Sequence, residues 1–150
     1  MIAKNGQRTL KQRAVAMLAR REHSRAELAK KLAEHGTQEE IEIVLQRLQE
    51  VKLLSDERFT AAFVRSRAER FGSARLRQEL RTRGVAVELV ESELAAEDLP
   101  SEMERARLVW QKKYAALPSD AKEWAKQARF LQSRGFGSEV IRRLLKEMDE

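Results

Sequence analysis

Three stretches of this chain fall into one register on a glycine: AELAKKLAEHG, ARLRQELRTRG and AKQARFLQSRG, ending at Gly36, Gly84 and Gly135. Leu32, Leu80 and Leu131 then share one offset. Leu28 and Leu76 share another, where the third stretch has Gln127. Beyond the glycine, Leu89, Val90 and Leu94 match Val140, Ile141 and Leu145, and the first stretch follows through Ile41 and Leu45 after a one-residue deletion. Apolar residues three and four apart, closed by a residue that accepts left-handed backbone, read as amphipathic helices with their ends. A pattern recurring every ~50 residues reads as a repeat. A unit this small hardly buries its apolar face alone, so stacked units share one elongated core. The expectation is an all-α chain of three tandem three-helix repeats: an N-terminal tail at 1–8, then repeats at 9–54, 55–99 and 100–150.

Local signals agree. Only two prolines and six glycines interrupt 150 residues, and β-branched alternation is nearly absent. Thr9-x-x-Gln12, Ser24-x-x-Glu27, Thr37-x-x-Glu40 and Ser101-x-x-Glu104 have the form of a capping box. In that motif a hydroxyl takes a free N–H at the helix start while the acid or amide reaches back to the cap. Gly36, Gly72, Gly84 and Gly135 each follow a helical pattern and read as stop signals.

Composition narrows the function classes. At 42% hydrophobic residues there is material for a core, so the disordered class is disfavoured. No cysteine is present, which excludes disulfides and thiolate metal sites. No apolar run is long enough to span a bilayer, and the opening MIAKNGQRTLKQRA lacks the apolar centre of a signal peptide. A cytoplasmic protein is expected, with an elongated monomer as the default. The net charge of +6 points to an anionic partner, either nucleic acid or an acidic protein surface.

Arginine is concentrated in one place. Residues 58–83, RFTAAFVRSRAERFGSARLRQELRTR, hold eight basic residues, all arginine: Arg58, Arg65, Arg67, Arg70, Arg75, Arg77, Arg81 and Arg83. Only Glu69 and Glu79 oppose them, while the segment that follows, VAVELVESELAAED, is acidic throughout its charges. On a wheel of 58–71, Phe59, Ala62 and Phe63 form an apolar stripe continued by Ser66, Arg67 and Arg70. Arg67 and Arg70 are thereby candidates for covering apolar surface with their stems or for pairing with Glu88, Glu91 or Glu93. Taken together, the arginines suit docking to a defined anionic surface. A planar guanidinium grips carboxylate or phosphate at two points, whereas an ammonium acts as a point charge.

The stretch LLSDERFTAAFVRSRAERFGSARLRQELRTRGV, 53–85, resembles the RecX family of regulatory proteins. The resemblance rests on Asp56, Glu57, Arg58 and Phe59; on Phe63, Val64 and Arg67; on Gly72; on Arg75, Leu76, Glu79 and Leu80; and on Gly84 and Val85. LARREHSRAELAKKL at 18–32 is similar to the family's opening, and the likeness covers about 10–147. It implies an elongated, curved array of three-helix units. It also implies a non-enzymatic role without cofactors: binding the RecA recombinase filament on single-stranded DNA and limiting RecA activity in recombination, DNA repair and the SOS response. The eight arginines are then the expected partner-binding residues.

Other residues carry weaker readings. Trp110, Tyr114 and Trp124 are expected as core anchors, with base stacking as the alternative. His23 and His35 are expected to be solvated near helix ends, and Met17, Met103 and Met148 to be ordinary core or surface residues. No glycine-rich phosphate loop or evident acid–base pair suggests an enzyme. Residues 24–49 pass for a helix-turn-helix, but Glu39, Glu40 and Glu42 start its second helix, where a base-reading helix meets DNA. Direct binding is therefore expected to be non-specific, and a helical adaptor for another acidic protein remains the third reading.

Overall fold

The computed structural model describes residues 8–147; all but the last residue of the expected N-terminal tail, together with Met148, lies outside them. Among the described residues there are nine helices and no strand: α1 (Leu10–Arg20), α2 (Arg25–Leu32), α3 (Gln38–Glu50), α4 (Asp56–Arg67), α5 (Ser73–Thr82), α6 (Val87–Leu94), α7 (Glu102–Lys113), α8 (Ala121–Ser133) and α9 (Ser138–Glu147). The chain is all-α, as its periodicity requires.

The start signals act as expected. Thr9, Ser24 and Thr37 form complete capping boxes at α1, α2 and α3. Ser101 forms half of one, accepting from the Glu104 N–H at 3.1 Å. Asp120 caps α8 by accepting from the Glu123 N–H at 2.8 Å. Each cap satisfies a donor that the helix backbone leaves free.

By contact density the chain divides into two compact units, Met1–Ala62 with Arg81–Val90, and Phe63–Leu80 with Glu91–Glu150. In the first, Ala14, Leu28, Leu32, Ile41, Leu45, Leu48 and Leu54 form a closed core, with Met17 packed at its edge. In the second, Trp110, Leu131, Phe136, Ile141, Leu144 and Leu145 are central, and Met103 and Tyr114 pack against them. Gln127 breaks the leucine register for a physical reason. Its side-chain oxygen accepts the buried Trp110 indole N–H at 2.7 Å, and its amide donates to the Ala116 carbonyl at 3.2 Å. A leucine there leaves a buried donor without a partner.

The aligned glycines have a tertiary role. In the second unit, the Gly72 N–H donates to the Arg134 carbonyl at 2.8 Å and the Ala74 N–H to the Gly135 carbonyl at 3.2 Å. The end of α8 thus supplies acceptors to the start of α5. Gly135 has φ +92, and a Cβ on it meets the Arg75 Cβ at 2.3 Å. In the first unit the same joint recurs. The Ser24 hydroxyl at the start of α2 donates to the Arg83 carbonyl at 2.7 Å, and Gly84, at φ +76, lies against Ala26. Gly72 departs from the sequence reading. It has no positive φ, and it starts α5 rather than ending α4 in left-handed backbone. Its requirement is space, because a Cβ there sits 2.4 Å from the Gly135 carbonyl oxygen. Gly36 likewise lacks a positive φ.

His23 also departs from expectation: it is 2% exposed rather than solvated. Its Nδ1 lies 3.0 Å from the Arg21 carbonyl, which can only accept, so Nδ1 carries the proton. Nε2 is then the acceptor for the Lys31 ammonium at 3.0 Å. The ring is held neutral, and its pKa is lowered by burial first and by the charges of Arg21 and Lys31 next, with the Arg21 hydrogen bond and Glu27 opposing. His35 is exposed, as expected.

Two predictions follow from this packing. Gly72→Ala should cost about 1–3 kcal/mol through the forced backbone shift. Gly137→Ala, where no atom lies within 4 Å of the added Cβ, should cost less than about 1 kcal/mol. Urea midpoints of the two variants check this. A folded-state pKa below the unfolded value of about 6.5 means that the folded state binds fewer protons. The contribution of His23 is therefore complete above about pH 6.5 and is lost as pH falls through that value toward the folded pKa. Glu27 and Glu91, whose pKa values are lowered from 4.5, lose theirs in a separate and more acidic window. Urea midpoints should fall between pH 7.5 and 5.5 in the wild type and fall less in His23→Gln.

Candidate functional site

α4 begins at Asp56, and its buried stripe is Phe59, Thr60, Phe63, Val64 and Ala68. Ala62, expected on that stripe, is exposed. Spacings of four from Thr60 through Val64 to Ala68 carry the buried face onward; Arg67 stays on it, half-buried, while Ser66 and Arg70 are exposed.

The turn that follows is fixed by a residue the sequence reading missed. Arg105 on α7 is 3% exposed, and its guanidinium lies within the second unit. One Nη donates to the Ala68 carbonyl at 3.2 Å and the Phe71 carbonyl at 2.8 Å, and the other to the Ser73 hydroxyl at 2.7 Å. The two carbonyls belong to the turn between α4 and α5, where no helix supplies them with a donor. Burial lowers the pKa of Arg105 from the ordinary arginine value, while Glu102 opposes the shift. A signal was present: Arg105, Ala106, Val109 and Trp110 occupy one helical stripe, and the last three are plainly core types.

The eight arginines divide between the units, with Arg58, Arg81 and Arg83 in the first and Arg65, Arg67, Arg70, Arg75 and Arg77 in the second. In the first, Arg58 Nε donates to Glu22 at 3.0 Å, and Arg83 lies 3.9 Å from Glu27, which Arg21 also approaches at 3.4 Å. Arg81 is exposed. In the second, Arg65 holds Asp98 at 2.9 Å and Arg75 approaches Glu79 at 3.4 Å. Arg77 grips Glu91 at two points, 2.6 and 3.2 Å. The hydrogen bond raises the pKa of Arg77 and lowers that of Glu91.

Two phenylalanines organise the remaining guanidinium groups. Arg67 Cζ stands 3.9 Å from the centre of the Phe63 ring, and Arg75 and Arg70 stand 3.8 and 5.5 Å from that of Phe71. Each such contact is worth ~0.5–1 kcal/mol at an exposed site, and a flat guanidinium stacks where an ammonium does not. Of the two expected roles, Arg67 and Arg70 thus take the apolar one, lying over aromatic faces, and Glu91 goes to Arg77. A cavity of about 520 Å³ in the same unit is walled by Val64, Ala68, Leu99, Pro100 and Leu108 together with the Arg65–Asp98 pair.

Elsewhere the site inventory is short. Among the described residues no cluster of His, Asp or Glu could hold a metal, and no helix is long and apolar enough to cross a membrane. Trp110 is the core anchor expected, 4% exposed, with the Tyr114 ring centre at 6.3 Å. Trp124 is not core; it is 38% exposed. On α3, Glu40 is spent on the capping box and Glu42 pairs with Arg25.

Comparison with known proteins gives one answer along the whole length. The models of the first, second and third three-helix domains of RecX match residues 11–48, 55–94 and 101–145. The regulatory protein RecX of Leptothrix cholodnii is 49% identical over 150 residues, covering 99% of this chain and 95% of its own. That of Ralstonia nicotianae is 43% identical, covering 94% and 89%. The crystal structure of RecX from Lactobacillus salivarius shares the fold with a TM-score of 0.78 at 20% identity, over 93% of this chain and 94% of that one. Three successive domain models and these relatives establish that the chain belongs to the RecX family of regulatory proteins.

Proposed function

We propose that this chain regulates the RecA recombinase without catalysis of its own, by binding the RecA filament on single-stranded DNA and limiting its activity. Recombination, DNA repair and the SOS response are the processes it would act on, in the cytoplasm. In this reading the spans 9–54, 55–99 and 100–150 act as three repeats of a monomer that contacts more than one protomer of the filament. The arginines of 58–83 are the principal docking residues.

The observation that carries the reading is the state of those arginines. Arg58, Arg65, Arg75, Arg77 and Arg83 each face a carboxylate within the chain, so guanidinium geometry for carboxylate or phosphate is already in place. The Arg65 and Arg77 pairs are largely open to solvent, and such pairs contribute only ~0–1 kcal/mol. A partner that offers several fixed anions can therefore exchange them at little cost. Arg67 and Arg70 keep their charge while stacked on an aromatic ring.

The test is ATP hydrolysis by RecA on single-stranded DNA with the chain added below one molecule per RecA. Suppression by the wild type, with loss of most of it in Arg65→Gln/Arg67→Gln/Arg77→Gln/Arg81→Gln, is the expected result. A thermal melt should show the variant still folded, lowered by no more than ~1 kcal/mol for each exposed ion pair and for the Arg67–Phe63 stack that it removes. No suppression by the wild type at equimolar protein contradicts the proposal.

A further inference from the structure

The start of the middle helix is treated differently in the third repeat. In the first two, a glycine turn lies on it: Arg83 and Gly84 against Ser24 and Ala26, and Arg134 and Gly135 against Gly72 to Arg75. The residue eleven positions before the aligned glycine is Arg25 in the first repeat and Ser73, 5% exposed, in the second. In the third repeat it is Trp124, and among the described residues no glycine turn lies on the start of α8. The indole stands open instead, 38% exposed, in a cavity of about 250 Å³ lined by Pro118, Arg142, Leu145 and Lys146.

The chemistry of that lining is selective. Leu145, at 2% exposure, gives an apolar floor, and the two charged lining residues are both cations. Arg142 and Lys146 are four apart on α9, exposed beside buried Leu145. The nearby carboxylates of α8 are engaged locally. Asp120 accepts the Glu123 N–H, and Glu123 accepts the Ser119 N–H and hydroxyl at 2.9 and 3.0 Å. The cavity is smaller than the ~300–1,000 Å³ of pockets that enclose a drug-sized ligand. It is a platform for one flat ring with anions at its edge.

We propose that Trp124, Arg142 and Lys146 form a binding site for single-stranded nucleic acid, with a base stacked on the indole and backbone phosphates paired to the two cations. Base–aromatic stacking beside a cationic track is how strands are held without reading their sequence. The site needs no recombinase and does not use the arginines of 58–83.

The chain's two tryptophans make the test specific. Trp110 is buried and bonded to Gln127, so quenching of tryptophan fluorescence by an unlabelled oligothymidylate should report on Trp124. Quenching at low salt without recombinase is expected from the wild type and should be absent in Trp124→Phe. Anisotropy of a labelled oligothymidylate measures affinity. Trp124→Ala should weaken binding by ~5- to 150-fold, the equivalent of ~1–3 kcal/mol of stacking. Arg142→Gln/Lys146→Gln should also weaken it and make the salt slope shallower by roughly 1.4, for two phosphates at ~0.7 each. No anisotropy change at low salt overturns the proposal, as does wild-type affinity in Trp124→Ala. Equal quenching by polyglutamate that the oligonucleotide fails to displace assigns the pocket to an acidic protein and also overturns it. None of these outcomes bears on suppression of RecA hydrolysis by the second-repeat arginines, so the two proposals fail separately.

Discussion

A helix ends in carbonyls that its own backbone cannot satisfy, and this chain satisfies several of them with neighbouring elements. The end of α8 meets the start of α5 through two backbone hydrogen bonds, and the Arg83 carbonyl takes the Ser24 hydroxyl. The carbonyls after α4 go to the buried guanidinium of Arg105. Glycines at 72, 84 and 135 follow from this, because backbone must approach backbone, or Cβ, more closely than a side chain allows. So does the position of the arginine segment. Arg105 fixes the turn at 68–73, Phe71 lies within that turn, and Arg70 and Arg75 stack on its ring. Hydrogen bonds from a charged donor are worth ~1.5–3 kcal/mol each, more than the exposed ion pairs around them.

The electrostatic character of the segment is set by this arrangement rather than by its charge count. Residues 56–99 hold eight basic and nine acidic residues, so no net charge draws a partner there. What the segment offers is geometry: forked donors, several held on aromatic rings, with carboxylates of modest hold already in the fork. Such a surface discriminates by the spacing of a partner's anions more than by total charge. The third repeat differs, with exposed cations beside an open indole, and favours a flexible strand over a fixed protein face.

Much of the fold was legible. Three complete capping boxes stand where the Ser/Thr-x-x-Glu/Gln spacing put them, because a cap depends on four neighbouring residues only. Trp110 could be assigned to the core from its stripe. The misses turn on packing that sequence spacing alone does not display. His23 reads as solvated because its place near a helix end does not show that the Arg21 carbonyl and Lys31 engage both ring nitrogens. Trp124 reads as core beside Trp110 and Tyr114, and its spacing does not show that, among the described residues, no glycine turn lies on the start of α8. Ala62 illustrates a smaller error: a wheel drawn from Phe59 and Phe63 leaves two choices of flank, and Thr60 and Val64 take the buried one. Glu91 was recognised as a candidate partner, but its arginine was not, since one turn of α5 decides between them.

The central claim is that the paired arginines exchange in-chain carboxylates for those of the filament. It is tested most directly by removing the in-chain competitors and leaving every arginine in place. Affinity for RecA filaments on single-stranded DNA would be measured at one fixed salt concentration for the wild type and for Asp98→Asn/Glu91→Gln. With each exposed pair contributing up to ~1 kcal/mol, the variant should bind tighter, by up to about fivefold per pair. Equal or weaker binding by a variant that melts like the wild type would contradict the account and leave the Arg65 and Arg77 pairs as parts of the fold alone.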